Sequence, residues 1–423
     1  MKFLREILLT LCFVLFAGGI VQFIRWGMSG TVTSDAFSKP NIRILWKQDI
    51  TQVGRAIKPN TIKVTEGKNI VRVVGVSYIY RTEETPRLHN PELFEYCINL
   101  KDNTFEMKNL MAMDDGDITI HLPQGGVKDS RLIEDNIVMI RQQYKSSNFQ
   151  ELTVGSDWQV KTREIPGLTR LSVSTHGACR NMNGDVFLCG DHGYIRKVTS
   201  DGNVAWDTNY KSDKGYDGTF GAAFSESDNM LIGFGVSFES DTKFTTKNSS
   251  LWLANLDSDG NFKAKSEFEG IANFGKNPSF CLNKTGNPIV IYDNNAEIGS
   301  YKIYVLKFSK DLNTKAWTTH IFDGEDIMIS RMSLTPLEND YTLATFHTMA
   351  THSVKFNLHF YILDNNGSVV NQAVFEDIRS GDYLVTVLKD RIFFVTEGRT
   401  YEKDKDTEIA KLICFKISPF KMK

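Results

Sequence analysis

Short apolar runs, each introduced by a turn of Gly, Asp or Asn, recur along most of the chain. Gly67 precedes Ile70-Val71, Asp135 precedes Ile137-Val138, and Gly184 precedes Val186-Phe187-Leu188. The series continues with Asp228 before Met230-Leu231-Ile232, Gly286 before Ile289-Val290-Ile291, Asn339 before Tyr341, and Asp390 before Ile392-Phe393-Phe394. These are seven turns, about 44 to 68 residues apart, and a strand-like stretch such as Leu171 to Cys179 stands before them, so each unit contains a β-hairpin.

A second series runs at the same pace. Alternating strands break at Asp102, Gly155, Gly202, Gly260, Leu312 and Gly367 and then resume, as in Leu251 to Leu256 before Asp259-Gly260-Asn261. Two strands around each turn of each series give four short antiparallel strands per unit, which is a propeller blade. The final unit stops one strand short, because only Lys411 to Ile417 follows its hairpin. Ile42 to Lys47 stands alone at the other end and matches the strands assigned to Trp158, Trp206 and Trp317. The pattern predicts an all-β, seven-bladed β-propeller over residues 41–423, its amino-terminal strand closing the last blade and removing a sheet edge.

Composition narrows the function classes. The chain carries 49 Lys and Arg against 51 Asp and Glu, a net charge of -2 that offers no field for nucleic acid, so no nucleic-acid partner is expected. With 28 Phe and 14 Tyr there is ample material for a core.

The first residues read as an export signal. Lys2 and Arg5 precede an apolar run from Ile7 to Ile24, with Arg25 and Trp26 beyond it. Ala17-Gly18-Gly19 suits a cleavage site and would release a secreted protein. Apolar residues continue to Ile24, enough to span a bilayer, and this favours an uncleaved signal-anchor over residues 1–26 with a tether over 27–40. Positive charge on the amino side puts the propeller outside the cytoplasmic membrane, in a periplasmic or extracellular space.

Val198-Thr-Ser-Asp-Gly-Asn-Val-Ala-Trp206 and Leu256-Asp-Ser-Asp-Gly-Asn-Phe262 resemble repeats of bacterial quinoprotein-like and related secreted or periplasmic propellers. The resemblance is one of fold. The Thr-Gly turns of the quinone-binding members' tryptophan-docking motif are absent, so no quinone or other cofactor is expected.

Candidate chemistry is sparse. Asp257-Ser-Asp259-Gly-Asn261 begins like a calcium loop but lacks the later ligands, and it stands where every unit has its turn, so a structural turn is expected and no metal. His347 and His352, five apart in what reads as a long loop, lack the spacing of a helical zinc pair. Cys179 and Cys189 each stand five residues from Gly184, which leaves open a cross-strand disulfide or two buried thiols.

Loops entering innermost strands and leaving second strands surround one mouth of a propeller's central channel. The repeats place His176, Asp191, His192, Tyr216, Asp217, Asp293, Arg331 and His347 on or near that mouth. Long connections at Ser77 to Leu93, Val236 to Ser250 and Glu397 to Glu408 lie on the same side. Such a face suits binding or scaffolding of a protein or carbohydrate partner. It also leaves open a propeller enzyme, a hydrolase, lyase or transferase acting on a carbohydrate or ester, although no nucleophile motif singles out a catalytic residue.

Overall fold

A computed structural model describes residues 42–50, 55–65, 69–79, 89–102, 104–113, 118–121, 136–142, 149–165, 175–190, 192–239, 249–269, 278–297, 300–350, 356–376, 383–396 and 410–417. The apolar run Ile7 to Ile24, the tether, His352, the central parts of the first two long connections and the whole of Glu397 to Glu408 lie outside these residues. Among the described residues no helix is long and apolar enough to cross a membrane.

Strand β1 (Ile42–Ile50) opens the described chain. The first blade is β2 (Arg55–Thr65), β3 (Ile70–Ile79), β4 (His89–Asn99) and β5 (Thr104–Ala112). The second is β6 (Ile118–His121), β7 (Ile137–Gln142), β8 (Phe149–Val154) and β9 (Val160–Ile165). The third is β10 (Thr175–Arg180), β11 (Val186–Gly190), β12 (Tyr194–Val198) and β13 (Val204–Asn209). The fourth is β14 (Gly215–Ser225), β15 (Met230–Glu239), β16 (Ser250–Leu256) and β17 (Phe262–Glu269). The fifth is β18 (Ser279–Leu282), β19 (Pro288–Glu297), β20 (Ser300–Phe308) and β21 (Lys315–Glu325). The sixth is β22 (Ile327–Pro336), β23 (Thr342–Ala350), β24 (Phe356–Leu363) and β25 (Val369–Phe375).

The seventh blade is composite. It joins β26 (Tyr383–Leu388), β27 (Arg391–Thr396) and β28 (Ala410–Ile417) to β1, which pairs antiparallel with β28 from Ile42 opposite Ile417 to Ile50 opposite Ala410. Every sheet has four strands in meander order, and successive innermost strands touch around the ring, β26 against β2 included. The protein is a seven-bladed β-propeller.

The burial pattern follows from stacking blades face to face. Third strands are covered on both sides, so Ser250–Leu256 is buried throughout, whereas the outer strand Lys315–Glu325 largely alternates between exposed and half-buried positions. The apolar clusters accordingly sit between blades: Phe187 and Cys189 of the third pack with Phe224, Leu231 and Trp252 of the fourth.

Outer-strand tryptophans latch one blade to the next. Trp206 donates its indole N–H to the Ser258 carbonyl at 2.8 Å, and a Cβ on Gly260 would fall 2.6 Å from the same indole. Trp317 repeats the arrangement on the Asn365 carbonyl and Gly367. Both glycines have positive φ, +81° and +83°, so each serves the turn and the close approach of the ring together.

Trp158 departs from its expected place in an outer strand. The turn Gly155–Gln159 is closed by hydrogen bonds from Gly155 N to Gln159 O and from Trp158 N to Gly155 O, so Trp158 is held at φ +68° ahead of β9. Lys108 of the first blade lies 4.4 Å above its ring. The aspartate turns close on themselves: Asp257 accepts from the amides of Asp259 and Asn261 and from Lys263 Nζ at 2.8 Å. Among the described residues no group of three metal-ligating side chains converges.

Candidate functional site

Four of the innermost strands carry an extra residue near the predicted mouth. The ladder slips at Asn60 between the pairs Pro59–Gly75 and Thr61–Val74, and at His176 between Thr175–Gly190 and Gly177–Cys189. It slips again at Phe220 between Thr219–Gly235 and Gly221–Phe234, and at Arg331 between Ser330–His347 and Met332–Phe346. A bulge bends its strand and re-aims the extra side chain, and such irregularities gather beside binding sites.

The opposing residue shows what each bulge demands. At three of the four it is glycine: Gly75, Gly190 and Gly235. A Cβ at Gly75 would stand 2.4 Å from the Lys58 carbonyl oxygen, and one at Gly235 only 2.0 Å from that of Gly218. His347 occupies this place in the sixth blade. Its ring turns into the blade interface, fully buried, against Tyr383 at 4.6 Å, Phe356 at 5.8 Å and Phe394 at 5.9 Å.

The predicted site residues therefore separate. His347 is a strand residue of β23 and lies inside the protein, because the strand continues buried through Thr348 instead of opening into a loop at His347. Neither ring nitrogen has a hydrogen-bond partner, and burial with the neighbouring His359 pushes its pKa down to about 3. Asp293 is also interior, 1% exposed in β19 opposite Ile303. Arg331 and His192 are exposed. The Arg331 carbonyl accepts from the Tyr383 hydroxyl at 2.9 Å, which ties this bulge to the seventh blade. His192 sits at φ +58° in the β11–β12 turn, a left-handed position that projects it from a short, constrained connection.

His176, Tyr216 and Asp217 stand at the starts of β10 and β14, and their side chains and all of Asp191 lie outside the described residues. Cys179 and Cys189 are buried thiols on one side of the third blade. The hairpin is centred on Asn183, since Asn181 N bonds Asp185 O, so Cys179 faces Phe187 and Cys189 faces Gly177. Burial pushes the Cys189 thiol up to about 12 and Cys179 well above the ordinary value.

A groove of about 550 Å³ on the side of the ring escaped the sequence reading. The rings of Phe268, Tyr292, Tyr304 and Phe308 floor it between the fourth and fifth blades, with Glu267 and Lys315 on its rim. Tyr292 and Tyr304 stack at 5.6 Å. Glu267 is already engaged, accepting from Tyr210 Oη at 2.6 Å and from Ser250 Oγ at 3.3 Å. The signal for it was present as Tyr292, Tyr304 and Phe308 on facing strands, residues that read equally well as core.

No family model matches the chain, and no curated protein matches it. Solved structures do. The WD40 repeats of RRP9 align with a TM-score of 0.50 at 8% identity over 90% of this chain and 99% of that one. A protein of unknown function from Dyadobacter fermentans aligns at 0.47 and 12% identity over 90% and 100%, respectively. A member of the DUF4221 family from Bacteroides vulgatus aligns at 0.43 and 11% identity, covering 71% of this chain and 96% of that one. At such identities the likeness is one of fold, and the fold it identifies is the β-propeller.

Proposed function

We propose that this chain is a binding or scaffolding propeller held outside the cytoplasmic membrane by its amino-terminal apolar run, and that a protein or carbohydrate partner docks on the face where the innermost strands begin. The observation that carries this reading is the set of bulges at Asn60, His176, Phe220 and Arg331, repeated on four blades near one end of the channel. Bulges are costly to a ladder, and four of them near one face, three with a glycine opposite, support a surface shaped for contact. Withdrawal of His347 and Asp293 into the blades removes two of the ionisable groups from which an acid-base site would be built, which favours binding over turnover.

The test joins location and contact. Membranes bearing the full chain are extracted with alkaline carbonate, and intact cells are then treated with an amine-reactive cross-linker. The reading expects the chain in the pellet, one discrete cross-linked species, and loss of that species in the exposed double variant His192→Ala/Arg331→Ala at unchanged melting temperature. Equal cross-linking in the double variant overturns the choice of face, and release by carbonate overturns the anchor.

A further inference from the structure

The opposite end of the blades holds a cationic cluster of side chains. Glu151 on β8 and Arg163 on β9 are direct ladder partners in the second blade, and Arg180 ends β10 in the third. Arg163 Nη2 donates to Glu151 Oε2 at 2.7 Å, and the two guanidinium nitrogens of Arg163 bond across the interface to the carbonyls of Ser200 and Gly184. Arg180 Nε stands 3.8 Å from the same Glu151 oxygen, beyond hydrogen-bond reach. Glu151 is 7% exposed, Arg163 29% and Arg180 27%.

Two features mark the cluster as incomplete. Arg180 donates no hydrogen bond to any described residue, and the Nε of both Arg163 and Arg180 is buried without an acceptor. Two guanidiniums around one carboxylate also leave one unit of positive charge. The neighbouring carboxylates are engaged elsewhere: Asp185 by Lys197 at 3.1 Å and by the Ser200 amide, and Glu226 by the Met182 amide at 2.6 Å. A guanidinium three-quarters withdrawn from water is costly unless its fork is filled. Gly184, at φ +88°, leaves room for the Arg180 side chain, since a Cβ there would lie 3.1 Å from Arg180 Nη2.

We propose that this cluster binds a single small, singly charged oxyanion, a carboxylate or a sulfate monoester, received by the terminal guanidinium nitrogens of Arg180. Its charge balances the surplus, and its oxygens supply acceptors that Arg180 lacks. The site lies at the end of the blades away from the bulged face and does not depend on the partner proposed there.

The experiment is a thermal-shift titration of the full-length protein with sodium acetate and, separately, sodium methyl sulfate, each balanced by sodium chloride to constant ionic strength. Ligand that binds the folded state raises the melting temperature along a saturating curve. Saturation with both probes, or with either one, supports the site and assigns the source of the oxyanion. Arg180→Met should abolish the response, and Arg180→Lys, which keeps the charge but loses the fork, should weaken it. Glu151→Gln removes the competing negative charge and should tighten binding at least about fivefold. Saturation by neither probe, or titration curves identical in wild type, Arg180→Met and Glu151→Gln, overturns the proposal. Should Arg180→Met fail to fold, the opposite shifts of Arg180→Lys and Glu151→Gln decide the matter.

Discussion

Lowering the pH should unfold this propeller through two histidines of its sixth blade, well before its carboxylates are protonated. His347 and His359 are both buried, one ring without hydrogen bonds and the other stacked 4.7 Å from Phe346 with its Nε2 at 2.8 Å from Thr348 Oγ1. Burial depresses their pKa values, to about 3 for His347 with His359 adding to the effect, and to about 4 for His359, from 6.5. Around His347 the packed rings are Tyr383, Phe356 and Phe394, with no carboxylate among them to favour the imidazolium. The sign follows. Above pH 6.5 folded and unfolded chains both hold neutral rings, and below it only the unfolded chain takes up protons, so stability falls until the folded pKa is reached. Each histidine contributes a slope that rises to about 1.4 kcal/mol per pH unit below the unfolded pKa, so the pair costs about 3 kcal/mol between pH 6.5 and pH 5. Asp207, Asp228 and Asp257 have pKa values held below 3.8 in the fold and lose their contribution only as the pH drops below about 4, outside this window. Urea unfolding followed by tryptophan fluorescence at pH 7, 6 and 5 measures the slope. His347→Leu leaves no hydrogen-bond partner stranded and should roughly halve the slope while costing little at pH 7. A variant with the wild-type slope, or a wild type equally stable at pH 6.5 and pH 5, would refute the argument.

Deleting the residues up to Ile50 removes β1 and the buried side chains of Ile42 and Ile50, each worth roughly 1.5–3 kcal/mol. The urea midpoint of the whole ring should fall in one transition, and an unchanged midpoint would mean that the seventh blade does not need its outer strand. Gly260→Ala places a methyl 2.6 Å from the Trp206 ring at φ +81° and should cost more than about 1 kcal/mol. Trp206→Ala removes the obstacle, so in a double-mutant cycle the two changes should cost less together than the sum of each alone, and strict additivity would dissolve the latch. Iodoacetamide at pH 8 should leave Cys179 and Cys189 unmodified in the native protein and label both in urea, because burial suppresses both thiolates. A linked peptide pair in a non-reduced digest would show instead that they are oxidised.

The repeats made the architecture readable because every blade must turn twice in a place fixed by its neighbours. Gly184, Gly202, Gly260, Gly286 and Gly367 all take positive φ at such turns, and that need imprints the period on the sequence. Closure was readable for the same reason, since Ile42 to Ile50 has no partner in its own vicinity and β28 lacks one at its edge. Trp158 misled because a five-residue turn and the first residues of an outer strand use the same polar and aromatic residues. The bulges also left a mark that went unread. Gly75 and Gly235 interrupt otherwise apolar second strands, and an isolated glycine in such a run means that another backbone comes close. Reading that mark would have singled out Asn60 and Phe220 on the facing strands. It would also have set His347 apart, because a bulge whose opposing residue keeps a side chain must send that side chain into the blade interface. Position along the chain alone puts His347 at the mouth. Position along a strand fixes which end of the channel a residue approaches, but the side of the sheet it faces decides whether it meets solvent or the next blade. The cluster at Glu151, Arg163 and Arg180 could not be read by either rule, because it joins an outer-strand pair of one blade to an inner-strand end of the next.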